Sequence, residues 1–439
     1  MLINKLILKI LSPNYRKALD DALYLEDQAF LDIDRTQKEK LEELIKVCKR
    51  DIPFYKNVLP EGNITINDFP ISDKGIINSN FNDFININLP ETRRKSNSTS
   101  GSSGTNFKFY SDRLTDVKRH ALANLGEKWA GANFGIKKLI IWGAERDLIK
   151  KSLKDKVINS KILFNTQMLS SYHMSNEDIE GNILPLINRF NPKVIIGYPS
   201  SLNLIANYIV KHNSPITKGL KGIITSGESL SIDQRQNIEK AFKVKVFNRY
   251  GCRDVGPIAH ECESHKGLHV FSSHVYVEIL NEKGEKCLPG EIGQIVVTDL
   301  DNHVFPFVRY KIGDLGKWST EKCECGRSLP LLESVVGRTF DLIIGTNNNR
   351  VPGNYFTLLR NKVDGIEQFQ FIQDKIGSLE LRLKTTNDYS PLNDKLIVQL
   401  IKEKLGEDMN IIIKHVDDIE VSISGKYRWV ISNVDLYEI

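Results

Sequence analysis

A dominant charge is the first thing this sequence lacks: 60 Lys and Arg stand against 55 Asp and Glu, a formal net charge of only +5 over 439 residues. A surplus so small and dispersed argues against nucleic acid as a partner, because phosphate-backbone binding needs a concentrated basic face. Cysteine is also scarce. Six in a chain of this length make no disulfide framework, and without a secretory signal they read as reduced thiols or metal ligands in a cytoplasmic protein. No apolar run is long enough to span a bilayer, so no transmembrane segment is expected. The opening MLINKLILKILSP is interrupted by Lys5 and Lys9 and stopped by Pro13. Its Leu2, Leu6, Leu8 and Leu11 are expected on an amphipathic helix packed against the domain, with a membrane-touching surface helix as the alternative. Two nucleotide motifs are missing as well, since there is no G-x-x-x-x-G-K-[ST] and no G-x-G-x-x-G after a strand. GESLS at 227–231 has the start of a serine-hydrolase elbow but not its final Gly, which argues against a Ser nucleophile there.

What is present is the composition of a globular chain, 41% hydrophobic and 26% charged, long enough for two or three domains. From about Lys161 short β-branched runs alternate with helical periods. KILF, KVIIG, LKGIITSGE and KVKVFNRYG read as buried parallel strands, with SNEDIEGNILPLINRF, SLNLIANYIVKHN and SIDQRQNIEKAF as the helices between them. This alternation predicts an α/β fold with mostly parallel sheets covered by helices. Ligands on such sheets gather at the carboxyl ends of the strands, here GYPSS, TSGESLS and NRYGCRD. After about Gly267, HVYVEIL and GQIVVTDL read as an antiparallel hairpin or a small barrel-like part. Beyond Arg338 a small α+β unit follows, built from FQFIQ, SLELRLK, PLNDKLIVQLIKEKL and NIIIKHV. The expected domains are therefore a large one over 1–338 and a small one over 339–439.

One stretch stands apart. SNSTSGSSGTNFKFYSD, from Ser96 to Asp112, crowds hydroxyls and glycines just before an alternating run. It fits a flexible linker, and equally a loop whose N–H groups and hydroxyls wrap a phosphate. Four other segments carry polar residues on turns: FNRYGCRDVG with Tyr250, Gly251 and Asp254; FPFVRYKIGDLG with Tyr310, Gly313 and Asp314; VVGRTFDLI with Arg338; and SISGKYRWVIS with Lys426. Each alone is weak, because Asp on a turn is commonly only a turn residue. A second constellation has metal-ligand chemistry. Cys323 and Cys325 form a C-x-C, and HECESHKGLHV places Cys262 near His260, His265 and His269, the donor types of a closed tetrahedral zinc site.

In their order along the chain these segments resemble the adenylate-forming superfamily, and within it the phenylacetate–coenzyme A ligase family and its capsule-biosynthesis members, often labelled coenzyme F390 synthetase-like. The resemblance runs from about Tyr55 to Arg428. It implies a large domain and a small mobile C-terminal domain with the active site between them. It also implies two half-reactions: a carboxylate and ATP give acyl-AMP and pyrophosphate, then a nucleophile displaces AMP. The resemblance assigns Thr99, Ser100, Gly101, Ser102, Ser103, Gly104 and Thr105 to the ATP phosphates. Gly227, Glu228, Tyr250 and Gly251 fall along the adenine side, Asp314 on the ribose hydroxyls and Arg338 on ribose and phosphate. Asp254 stands where the family has the Mg²⁺-binding Glu, and Arg253 where the superfamily usually has Thr. Lys426 matches the lysine that stabilises charge during adenylation only. Phe340 departs from the usual hinge Asp, which Asp341 follows by one position. Cys262, His269, Cys323 and Cys325 are the implied ligands of a structural Zn²⁺, with His265 the alternative fourth ligand. Coenzyme A is the expected acceptor of the acyl group from a small-molecule carboxylate, an amine on a surface-polysaccharide precursor is the alternative, and a homodimer is left open. Trp142 and Tyr198 are candidates for the carboxylate pocket, where Arg146 or His173 would favour a polar or anionic acid over phenylacetate.

Overall fold

The computed structural model describes residues 30–100, 106–133, 135–142, 165–171, 174–216, 218–338, 342–347, 349–352, 356, 359–419, 428 and 430–434, together with Lys17 and Asp20. The expected N-terminal amphipathic helix and the strand read at KILF lie outside the described residues, as do Arg146 and His173.

After the helices Phe30–Asp51, Pro53–Val58 and Lys74–Ser79, the chain forms an antiparallel hairpin of β1 (Lys95–Ser100) and β2 (Asn106–Ser111), closed at the pair Ser100 and Asn106. The parallel series follows: β3 (Lys138–Trp142), β4 (Thr166–Ser170), β5 (Val194–Gly197), β6 (Gly222–Ser226) and β7 (Val246–Cys252), in the order 4-3-5-6-7. Every residue of β5 and β6 is buried, as β-branched runs covered on both faces should be. The helices between them begin where the sequence offers caps. Ser231 and Gln234 form a reciprocal capping box at the start of the helix Ile232–Phe242. Asp112 accepts the Thr115 N–H at 2.7 Å to start the helix Arg113–Trp129. The segment around Pro185 stays helical because the backbone passes through a π-turn at Ile179–Ile183 and places Pro185 in the first turn of Leu184–Phe190.

The antiparallel strands continue the same sheet. β8 (Gly256–Glu261) pairs with β7, and then come β9 (Leu268–Val270), β10 (Val275–Leu280), β11 (Gly293–Asp299), β12 (Tyr310–Trp318) and β13 (Leu331–Arg338). The full order is 10-11-12-13-9-8-7-6-5-3-4, eleven strands. The part read from the sequence as barrel-like is thus joined to the parallel half through β8, β9 and β13. An aromatic core holds it, with Tyr55, Phe69, Phe84, Phe107, Phe305 and Phe307 at 1% exposure or less. A separate aliphatic core, including Ile141, Ile195, Ile205, Ile223 and Val246, lies under the parallel half.

After β14 (Leu342–Ile344) and β15 (Arg350–Pro352), a four-stranded sheet forms from β16 (Ile366–Lys375), β17 (Ser378–Thr385), β18 (Asn410–His415) and β19 (Val430–Ser432), in the order 18-17-16-19. It has its own core, where Phe369, Phe371 and Leu381 meet Ile397, Ile401 and Leu405 of the helix Asn393–Leu405. No helix among the described residues is long and apolar enough to cross a membrane.

A charged knot ties early elements to the sheet. Asp301 accepts from His274 Nδ1 at 2.8 Å, Lys118 Nζ at 2.6 Å and Lys40 Nζ at 3.0 Å. Burial opposes the charge on Asp301, yet the His274 hydrogen bond and the Lys40 and Lys118 charges hold its carboxyl well below the usual range. A depressed carboxyl contributes stability that is fully present above its unfolded pKa, about 3.9, and is lost as pH falls toward the folded value. Asp301→Asn is therefore expected to melt a few degrees lower at pH 7, with the gap from wild type narrowing below about pH 4. Parallel melting curves for the two proteins across pH would show Asp301 to be unpaired in solution.

Candidate functional site

The candidate site lies where the carboxyl ends of β3, β5, β6 and β7 meet β12 and the β1–β2 hairpin. After β6 the chain turns sharply at Gly227, whose φ of +85° is a left-handed conformation. A Cβ there would come within 2.9 Å of the Tyr198 ring, which packs against Trp142 at a centroid distance of 4.3 Å. Only glycine fits this turn. Glu228, next in sequence, accepts the Ser200 N–H at 3.1 Å, at the start of the helix Pro199–His212. At the end of β7, Tyr250 Oη donates to Asp314 Oδ2 at 2.8 Å, joining residues 64 apart in sequence. Asp314 sits in β12 directly opposite Arg338 of β13, so the backbones of the two residues expected on the ribose come together. Gly251 has a packing role: a Cβ would stand 2.5 Å from the Gly256 carbonyl on β8.

Asp254 follows β7 and is 2% exposed. Tyr310 Oη donates to its Oδ2 at 2.8 Å, and Lys74 Nζ lies 3.6 Å from the same oxygen. Its Oδ1 is buried with no hydrogen-bond partner among the described residues. A buried carboxylate oxygen without a donor is a fitting ligand for a hard cation. Burial first, and the Asp254 charge second, push the neighbouring Cys252 thiol up to about 12, so Cys252 is an inert packing thiol. The hairpin closes on the same region. Arg253 Nη1 donates to the Ser98 carbonyl at 3.2 Å, and Thr99 Oγ1 is buried without a partner among the described residues. Ser100 ends β1, while Gly101, Ser102, Ser103, Gly104 and Thr105 lie outside the described residues. Lys426, Phe340 and Asp341 also lie outside them, as does the side chain of Arg338.

Sequence reasoning missed the residues that fix the Asp254 turn. Lys74 comes from a short helix, Lys74–Ser79, far upstream. Arg119 donates to the Asp254 carbonyl at 2.9 Å and to Asp299 Oδ2 at 2.7 Å. His274 Nε2 lies 2.9 Å from the Val255 carbonyl. No local pattern marks them, since each acts on the turn through the tertiary fold.

The second constellation forms a compact cluster. Ligand atoms of Cys262, His269, Cys323 and Cys325 all lie within 4.8 Å of one another. Cys262 and Cys323 sulfurs are 3.6 Å apart, and Cys325 Sγ is 3.2 Å from His269 Nε2. Sulfurs on a tetrahedral zinc would be separated by about 3.8 Å. His269 Nδ1 faces the Leu329 carbonyl at 3.4 Å, which leaves Nε2 toward the thiols. Burial pushes the Cys262 thiol up to about 12. At Cys325 burial acts in the same direction, but hydrogen bonds from Arg327 outweigh it and lower the thiol. Arg327 is itself held over the Trp129 ring at 4.7 Å and by Glu263 at 2.9 Å. His265 points elsewhere: its Nδ1 is 3.4 Å from Glu261 and its ring packs on Phe247.

Residues 343–433 match the family described as the CapK C-terminal domain. Protein CapK of Staphylococcus aureus is 25% identical over 92% of this chain and 90% of its own length. The phenylacetate–coenzyme A ligase of Thermus thermophilus is 26% identical over 56% of this chain and 61% of its own length. Among solved structures, 2-hydroxyisobutyryl-CoA ligase in its postadenylation state superposes with a TM-score of 0.72 at 16% identity, covering 94% of this chain and 91% of that one.

Proposed function

We propose that this chain, an adenylate-forming ligase of the phenylacetate–coenzyme A ligase and CapK kind, activates a carboxylic acid with ATP and passes the acyl group to a thiol, with coenzyme A as acceptor. The observation that carries the reading is the Tyr250–Asp314 pair at the carboxyl end of the sheet, beside the buried Asp254. In the first half-reaction a carboxylate oxygen attacks the α-phosphorus of ATP, an O–P bond forms, and pyrophosphate leaves with its bonding electrons. In the second the acceptor thiolate attacks the acyl carbon, a C–S bond forms, and AMP leaves.

Asp314 would accept the ribose hydroxyls while Tyr250 holds it in place. Gly227 and Glu228 would run along the adenine, and Arg338 would reach ribose and phosphate. Thr99 through Thr105 would donate N–H and hydroxyl groups to the β- and γ-phosphates, which suits a Thr99 hydroxyl without a partner among the described residues. Asp254 Oδ1 would hold Mg²⁺, which offsets phosphate charge when bound. Lys426 would stabilise the charge that develops as the carboxylate attacks. Its segment would travel with a small domain, 339–439, that turns against the large domain, 1–338, between half-reactions. Cys262, His269, Cys323 and Cys325 would hold a structural Zn²⁺ tying the turn after β8 to the β12–β13 connection. Dependence on ATP and coenzyme A suits a cytoplasmic enzyme.

The test is pyrophosphate release from ATP across a panel of carboxylic acids, followed by addition of coenzyme A or amines. Acid-dependent pyrophosphate and a coenzyme A thioester are expected. Product only with amines would make the chain an amide-forming ligase, and no acid-dependent pyrophosphate would reject adenylation. In the same assay Asp314→Ala is expected to weaken ATP binding by roughly tenfold to a hundredfold, because charge-assisted hydrogen bonds to the ribose are lost. Wild-type ATP affinity in that variant, measured by calorimetry, would remove Asp314 from the nucleotide site.

A further inference from the structure

We propose that Arg249 is a specificity-determining residue and that it selects a carboxylic acid carrying a second anionic group. The inference rests on the adenylation reading and names the class of acid. Arg249 immediately precedes Tyr250 on β7, where successive side chains face opposite ways. Tyr250 turns to Asp314, so Arg249 turns to the other face. Its partners across the sheet are Ser226 on β6 and His260 on β8. Ser226 leads directly into the Gly227 turn against Tyr198 and Trp142. The helix Arg113–Trp129 covers this face so closely that a Cβ on Gly126 would stand 2.4 Å from the His260 ring. Arg249 thus lies beside the end of β6, one residue from Tyr250, on the face that the helix Arg113–Trp129 covers.

The guanidinium there is half-buried, and among the described residues it has neither a hydrogen-bond nor an ion-pair partner. The other shielded arginines of the large domain are each matched to a carboxylate: Arg119 to Asp299 at 2.7 Å, Arg235 to Glu261 at 2.6 Å, Arg309 to Glu278 at 3.1 Å, and Arg327 to Glu263 at 2.9 Å. The acid that acts on Arg249 is Glu127, and Glu127 is committed to Lys138 at 2.5 Å. That ion pair is neutral as a unit, so among the described residues the Arg249 charge has no carboxylate of its own. Burial lowers its affinity for a proton, and Glu127 offsets this only in part. A shielded guanidinium without a counter-ion is costly, and its planar fork suits a carboxylate or phosphate. An acid with one carboxylate at the α-phosphate and a second anionic group on Arg249 supplies the missing partner.

The experiment compares wild type, Arg249→Leu and Arg249→Lys as full chains, with a non-hydrolysable ATP analogue present. Calorimetry measures binding of matched acids, butanoate against glutarate and benzoate against isophthalate, and pyrophosphate release from ATP is measured with each. Wild type is expected to bind a dianion at least about tenfold more tightly than its matched monoanion. Arg249→Leu should lose that preference with analogue affinity unchanged, which also reports a folded protein, and Arg249→Lys should keep part of it. The proposal is overturned if wild type binds no dianion, if it prefers the monoanion, if Arg249→Leu keeps the preference, or if that variant loses affinity for the ATP analogue. An Arg249-dependent preference without pyrophosphate from any acid would uphold the proposal while removing the adenylation reading. Pyrophosphate release from monoanions, unaltered in Arg249→Leu and with no dianion preference, would do the reverse.

Discussion

Lys426→Ala is expected to abolish pyrophosphate formation, by about a hundredfold to a thousandfold or more, while leaving the second half-reaction near the wild-type rate. A positively charged group aimed at charge that develops in a dry site contributes on that scale. The segment after Lys426 is fastened to the small sheet: the Arg428 carbonyl accepts from Gln370 Nε2 at 3.1 Å, and Val430 pairs with Phe371. Any rotation of that unit carries the lysine with it. If the unit closes over the nucleotide for adenylation and turns away for acyl transfer, the lysine serves one step and not the other. The decisive measurement supplies synthetic acyl-AMP and acceptor to the variant and follows product directly. ATP affinity should change little, because Tyr250 and Asp314 belong to strands of the large sheet and Glu228 to the turn after β6. Equal loss in both half-reactions would make Lys426 a residue of general closure, and undiminished adenylation would make it a surface lysine on a turn.

Some of this was legible in the sequence for physical reasons. VIIG and GIITS are short, apolar and β-branched, and both became fully buried parallel strands. SIDQRQNIEKAF reads as a helix, and it forms Ile232–Phe242 behind a capping box of Ser231 and Gln234. Tyr250 and Asp314 could be suspected only through their order along the chain, since nothing local says that one hydrogen-bonds the other. The join between the two halves of the large sheet was not legible. It depends on the pairing of Leu331 with His269 and Leu332 with Leu268, contacts between residues about sixty positions apart that leave no periodic trace. Arg119, His274 and Lys74 escaped for the same reason. Arg249 read simply as one residue of a strand, because the absence of a carboxylate partner is a property of the packed protein. His265 stands three positions after Cys262 and His269 seven, so sequence distance alone would favour His265. The fold separates them, by placing His269 in β9 and His265 in a left-handed turn with φ of +52° against Phe247.

That separation makes the Cys262, His269, Cys323 and Cys325 cluster the place for the largest expected loss of stability. Purified protein prepared without chelator is expected to contain about one equivalent of zinc, and Cys323→Ser should lose it and melt at least roughly 10 °C lower. The cluster does not sit in a peripheral loop. Cys262 and His269 flank the turn between β8 and β9, while Cys323 and Cys325 lie between β12 and β13. β9 and β13 pair only through Leu268, His269, Leu331 and Leu332, so a metal bridging these segments reinforces the narrowest join in the sheet. Removing one thiolate leaves three ligands and a buried donor set without its ion, which is why the effect should exceed that of an ordinary core truncation. His269→Ala should behave like Cys323→Ser. His265→Ala should retain the metal and lose only its contacts with Glu261 and Phe247. Metal analysis that finds none in wild type, or an unchanged melting temperature in Cys323→Ser, would reduce the cluster to buried thiols packed beside an imidazole. Retention of zinc in His269→Ala together with its loss in His265→Ala would contradict the geometry of the cluster itself.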